Sequence, residues 1–89
     1  MMLYSAEIRV VLRNGILDAQ GKAIENSLKS LEFTQLSNVK VGKVINLQVS
    51  AETEEEAKKI VDNASKKLLA NTIVEDYFIK IDKISSDIS

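Results

Sequence analysis

The chain has 89 residues, 12 basic and 13 acidic side chains, a formal net charge of -1, and neither cysteine nor histidine. That composition excludes disulfides, thiolate chemistry and the usual zinc sites, and it carries no basic excess of the kind a phosphate-contacting nucleic-acid binder shows. A single domain of this size buries only about 60% of the surface its unfolded chain exposes, so self-association is the staple most open to it.

The opening segment MMLYSAEIRVVLRN is not patterned as a signal peptide, because Glu7 and Arg9 interrupt its apolar positions. No run approaches the roughly 20 apolar residues that span a bilayer, and a cytoplasmic protein is expected. Residues 3–13 alternate cleanly. Tyr4, Ala6, Ile8, Val10 and Leu12 point one way and Ser5, Glu7, Arg9 and Arg13 the other, which predicts a strand with one covered face. Asn14-Gly15 follows as a turn.

From Asp18 the period becomes helical, with Leu17, Gly21, Ile24, Leu28 and Leu31 forming one stripe. Asp18 is the expected N-cap, its carboxylate accepting amide hydrogens of the first turn. Gly21 costs about 1 kcal/mol relative to alanine inside a helix, and is read as a packing position where the helix approaches the sheet. Residues 38–50, NVKVGKVINLQVS, could turn at Gly42-Lys43, but that register mixes polar and apolar groups on both faces. One long strand keeps Val39, Val41, Ile45, Leu47 and Val49 on one face, with a bulge or bend at Gly42 and Lys43 left to reach past the edge or meet an acid.

The second helix opens on Thr53 and Glu56, a capping box. Three glutamates suit its positive end and Lys66 and Lys67 its negative end. Ala57, Ile60, Val61, Ala64 and Leu68 are its expected buried stripe, and Asn71 its left-handed terminus. The lysine pairs read as a solvated helix face. A last strand is predicted over 74–83, with Tyr77, Ile79 and Ile81 on one face and Asp76, Phe78, Lys80 and Asp82 on the other. Phe78 is the misfit there, and the tail 85–89 is expected to fray.

The order strand–helix–strand–helix–strand, in one domain without proline, predicts an α+β ferredoxin-like sandwich with both helices on one face of a mixed or antiparallel sheet. The other face, carrying Val11, Val44 and Phe78, is left for a second copy to cover, or the edge for it to extend.

Chemistry is sparse. Nucleophilic catalysis needs serine or cysteine beside a base, and the serines fall in predicted turns, strand ends and an exposed helix face. Glycines 15, 21 and 42 stand apart and form no phosphate loop. Glu75 and Asp76 are adjacent on a strand, so their side chains point to opposite faces and cannot act as a pair. Alone, they read as solvation of a strand start or as partners of a lysine.

Three segments carry a resemblance. KKLLANTIVEDY resembles the KLLANxxIEDY signature of the PurS family, the small subunits of phosphoribosylformylglycinamidine synthase. ILDAQGKAI is similar to that family's VLDPQGxAV, and VKVGKVINLQV to its VRIGKxxxLxV, in the same order and spanning nearly the whole chain. Ala19 stands where the family has a proline that fixes φ at the first helical position.

The resemblance implies a non-catalytic subunit in purine biosynthesis: a homodimer or dimer of dimers. It would bridge a glutaminase (PurQ-like) subunit and a large ATP-dependent synthetase (PurL-like) subunit, and help ammonia pass from glutamine to formylglycinamide ribonucleotide. ATP, Mg and glutamine would be used by those partners, with no cofactor, nucleic acid or membrane bound here. The matching positions are Leu17, Asp18, Gln20 and Gly21; Val41, Gly42 and Lys43; and Leu68 to Thr72 with Glu75, Asp76 and Tyr77. Helix start and packing are favoured for Asp18 and Gly21. Partner or dimer contact is favoured for Lys43, Leu69, Asn71, Thr72, Glu75, Asp76, Tyr77 and Phe78. Two other readings compete. An ACT-type ligand-sensing module shares the alternation but would need a glycine-rich binding turn, and an RNA-binding sheet would need paired aromatics where only Phe78 stands.

Overall fold

The computed structural model describes residues 1–84; the tail expected to fray, 85–89, lies outside the described residues. The alternating segment forms β1, Met2–Leu12, at the centre of a three-stranded antiparallel sheet. It is flanked by β2, Lys43–Ala51, on one side and β3, Glu75–Ile84, on the other. Ile8 pairs with Ile45 across one ladder and with Ile79 across the other. Opposed residues share a face, so the register gathers Tyr4, Ala6, Ile8 and Val10, all buried, with the apolar rows of both edge strands. The opposite face takes Val44, Arg9 and Phe78 in one row, as the alternation predicts, and Arg9 lies 5.1 Å from the Phe78 ring centroid. That cation–π contact explains an aromatic on a charged face.

The buried face is roofed by α2, Glu54–Ala64, which packs on all three strands through Ala57 and Val61. Its start keeps one half of the expected capping box: the Glu56 N–H donates to Thr53 Oγ1 at 3.1 Å. Its end is not. Residues Ser65–Leu69 form a π-helical turn, with the Ala70 N–H donating to the Ser65 carbonyl, five residues back, at 2.9 Å. One extra residue advances the following side chains by roughly 100°. Leu68, expected in the buried stripe, is therefore 83% exposed, and Leu69, expected beside it, packs against the core. Asn71 does not take a left-handed conformation; among the described residues, Glu32 and Asn38 are the non-glycine ones that do.

The first helix, α1, Ala19–Ser30, starts on Asp18 as expected. It closes with the Phe33 N–H on the Leu28 carbonyl (2.9 Å) and the Glu32 N–H on the Lys29 carbonyl (3.0 Å), a Schellman ending with Glu32 in the left-handed position. Of the stripe expected to be buried, only Gly21 is; Leu17 and Leu31 are 80% and 67% exposed. The reason lies in residues 39–41, expected as strand. Their amides serve α1 instead of a ladder: the Val39 N–H donates to Glu25 Oε1 at 3.2 Å and the Val41 N–H to Asp18 Oδ2 at 2.7 Å. β2 accordingly begins at Lys43, after Gly42 rather than through it. Because β1 and β2 are antiparallel, α1 is not a crossover between parallel strands; only α2 is.

The molecule measures 52 × 30 × 15 Å with a radius of gyration of 17.3 Å, against about 12 Å for a compact chain of this length. An 11-residue strand and a 12-residue helix account for the long axis when set end to end, at roughly 36 and 18 Å. The helix α1 and the strap 39–42 form an arm extending from the sheet.

Candidate functional site

The root of the arm is where the three sequence segments meet. Asp18 is its hub. Oδ1 accepts the Gly21 N–H at 2.8 Å and Oδ2 the Val41 N–H at 2.7 Å. These two amides, Gly21 first, hold its carboxyl below the ordinary value of 3.8, with Lys40 adding to the effect. With both oxygens engaged, Asp18 is a structural anion. Gly21 does pack closely, but against the strap and not the sheet: a Cβ there would collide with the Val39 carbonyl oxygen. Gly42 meets the sheet itself, where a Cβ would stand 2.8 Å from the Val10 carbonyl oxygen. Each glycine permits an approach that alanine forbids. Glu25, the second anchor, is held below its ordinary 4.5 by the Val39 N–H, with Lys29 and Lys22 assisting.

The third segment packs against the same end of β1 through Arg13. Its backbone N–H donates to the Val74 carbonyl at 2.8 Å, Nη2 donates to the Thr72 carbonyl at 2.5 Å, and Nε lies 3.4 Å from Asp76 Oδ1. Asn71 and Glu75 close the turn between them. The Asn71 N–H donates to Glu75 Oε1 at 2.7 Å, the Glu75 N–H to the Asn71 carbonyl at 2.7 Å, and the Ile73 N–H to Asn71 Oδ1 at 3.2 Å. That last bond is an Asx turn, the local use of asparagine that replaces the helix ending expected of it. Tyr77 Oη donates to Asp62 Oδ1 at 2.6 Å, tying β3 to α2. The bond lowers the Asp62 carboxyl, with Lys66 assisting, and raises the Tyr77 phenol above its ordinary 10.0.

Asp18, Gln20, Gly42, Lys43 and Glu75 line one open cleft of about 240 Å³. That is smaller than the roughly 300–1,000 Å³ of small-molecule sites, and its carboxylates are consumed by backbone amides, so it reads as a shaped contact surface. Lys43 sits exposed at the first position of β2, opposite Val10. Phe78 lies apart from the cleft, on the open face. Leu17 beside Asp18, Ile73 in the turn before β3 and Leu68 in the π-helical turn are each at least 80% exposed. Among the described residues no group of three or more His, Cys, Asp or Glu is placed to hold a metal, and no helix is long and apolar enough to cross a membrane. Sequence reasoning missed the clamping role of Arg13, whose signal was a lone arginine between a strand and its turn. It also missed the second bonds of Asp18 and Glu25, which join residues 14 to 23 positions apart.

Comparison with known proteins bears on this geometry. The family profile described as PurS, phosphoribosylformylglycinamidine (FGAM) synthase, matches residues 5–83. The phosphoribosylformylglycinamidine synthase subunit PurS of Methanocaldococcus jannaschii is 37% identical over 82 residues, covering 92% of this chain and 99% of that one. Its counterpart from Bacillus subtilis is 29% identical over 82 residues, covering 92% and 96%. The crystal structure of M. jannaschii PurS, described as one of the subunits of formylglycinamide ribonucleotide amidotransferase in the purine biosynthetic pathway, superposes with a TM-score of 0.82 at 36% identity, over 92% of this chain and 99% of that one. A chain of the PurLQS structure from Thermotoga maritima gives 0.81 at 33% identity, over 94% and 100%.

Proposed function

Since this chain belongs to the PurS family of phosphoribosylformylglycinamidine synthase subunits, we propose that it works as a homodimeric bridge between a glutaminase subunit and a large ATP-dependent synthetase subunit. The observation that carries this reading is the convergence of all three family-like segments on the root of the arm. Their polar groups are spent on holding shape, and their apolar neighbours Leu17, Leu68 and Ile73 face outward. A surface of that kind docks; it does not transform a substrate. Lys43, Thr72, Glu75 and Asp76 form its polar rim, and Leu68, turned outward by the π-helical turn, takes the apolar contact that the sequence assigned to Leu69.

In the assembly, ATP, magnesium and glutamine are handled by the partner subunits in the cytoplasm. This chain helps enclose the route along which ammonia reaches formylglycinamide ribonucleotide, and excluding water there keeps ammonia from being protonated and lost. Reconstitution tests the proposal. With the large and glutaminase subunits alone, ammonia-dependent amidine formation proceeds and glutamine-dependent formation fails; adding this chain restores the latter. Full glutamine-dependent rates without it would overturn the reading.

A further inference from the structure

The geometry points to Arg13 as a positioning residue for docking: its guanidinium sets the turn 71–74, and with it the rim residues Thr72, Glu75 and Asp76, in the shape that the partner subunits of the preceding section meet. The inference rests on that docking reading and names the side chain that prepares the surface. Arg13 acts through the backbone of the third segment.

The turn has no core of its own. Between Ala70, which is buried, and Val74, which is half-buried, the side chains of Asn71, Thr72 and Ile73 are all exposed. Its internal bonds run among Asn71, Ile73, Val74 and Glu75. They close the turn on itself without tying it to another element. A segment with so few buried apolar contacts opens readily unless it is held from outside.

Among the described residues the holding is done by Arg13. Its N–H carries the pairing of β1 with β3 one step beyond Leu12 and Glu75, to the Val74 carbonyl at 2.8 Å. The guanidinium reaches further: Nη2 donates to the Thr72 carbonyl at 2.5 Å, and the Nε–H is shared between the Glu75 carbonyl at 3.5 Å and Asp76 Oδ1 at 3.4 Å. Arginine suits this task because its donors diverge in a rigid plane, whereas a lysine ammonium is one compact charge. The Thr72 bond outweighs the ion pair. Arg13 and Asp76 are both about half exposed, and exposed pairs contribute little, while a charged donor makes one of the stronger hydrogen bonds.

The same residue faces the arm. Its carbonyl accepts the Ile16 N–H at 3.2 Å, closing a turn that passes through Gly15, at φ 86, toward Asp18. With Asp18, Lys40 and Gly42 it lines a cleft of about 270 Å³. Arg13 thus fixes the third segment relative to the root of the arm. A partner that meets both binds more tightly when neither needs ordering on contact.

Reconstitution against a concentration series of this chain tests the assignment, with Arg13→Met keeping the stem and removing the donors. Loss of a charge-assisted bond should raise the concentration that gives half the glutamine-dependent rate about tenfold. The rate at saturation should stay within about twofold of wild type. Hydrogen exchange at Ile73 and Val74 should quicken while the Ala6 and Ile8 amides of β1 keep their protection. Arg13→Lys, whose ammonium cannot span the Thr72 carbonyl and Asp76 together, should fall between the two. An unchanged half-saturating concentration in Arg13→Met would overturn the assignment, as would turn amides as protected as in wild type or a loss shared equally by β1. If the wild-type chain itself fails to restore glutamine-dependent rates, the docking reading falls and this inference with it; if it succeeds and Arg13→Met matches it, this inference alone falls.

Discussion

The two ends of this molecule are built on different principles. At one end α2 closes over β1 and its neighbours, and Ile8, Val10 and Val61 are almost wholly buried. At the other, α1 buries a single residue, Gly21, and is held by two carboxylates and a strap. The first end is folded by apolar contact within the chain. The second is positioned by hydrogen bonds, which fix direction well but contribute only about 0.5–1.5 kcal/mol each. A chain that orients an apolar helix without burying it leaves that face open to contact.

Substitutions can break this contrast, beginning with the strongest effect. Ile8→Ala empties the centre of the closed end and should cost about 2–5 kcal/mol, a large share of the stability of so small a domain. Urea denaturation should show the loss as a lower midpoint with the slope retained. Gly21→Ala drives a methyl group into the Val39 carbonyl and should cost about 1–3 kcal/mol. Its damage should be local: faster hydrogen exchange at Val39 and Val41, with the β1 amides little changed. Equal loss of protection in β1 would mean that the two ends are not separable.

Acid sharpens the same distinction. Asp18 and Glu25 have carboxyls below their ordinary 3.8 and 4.5 because they accept strap amides. A depressed carboxyl stabilises the fold fully above the unfolded value, and the contribution disappears as pH falls through the folded one. The Val41 and Val39 amide resonances should therefore hold steady above pH 4.5 and shift below it. Asp18→Asn should remove the acid shift at Val41 and leave that at Val39, which reports Glu25. The smallest effect expected is a gain. Glu32 sits at φ 71 in the helix-ending position, where glycine carries no steric penalty, so Glu32→Gly should raise stability by about 0.5–1 kcal/mol in thermal melts.

Legibility in the sequence followed the range of the interactions. The alternation of β1 and β3, the caps at Asp18 and Thr53 and the open-face position of Phe78 are set by neighbours a few residues apart, and all could be read directly. The π-helical turn could not, because nothing in SKKLL signals an added residue, and it exchanged the environments of Leu68 and Leu69. Residues 39–41 carry the alternation of a strand, yet their amides belong to carboxylates on α1, a long-range choice that periodicity does not encode. The α1 stripe was rightly identified as apolar, but among the described residues only Gly21 of it is buried. The root of the arm was legible only as three separate motifs, and their convergence through Arg13 and Asp18 needed the fold.

Hydrogen exchange measured across a dilution series tests most directly whether one end of the molecule is completed by another copy. Protection of the α1 amides should fall as the protein is diluted, while that of β1 persists at every concentration at which the chain stays folded. Protection of α1 that is independent of concentration, in a particle of 9.9 kDa, would contradict the account.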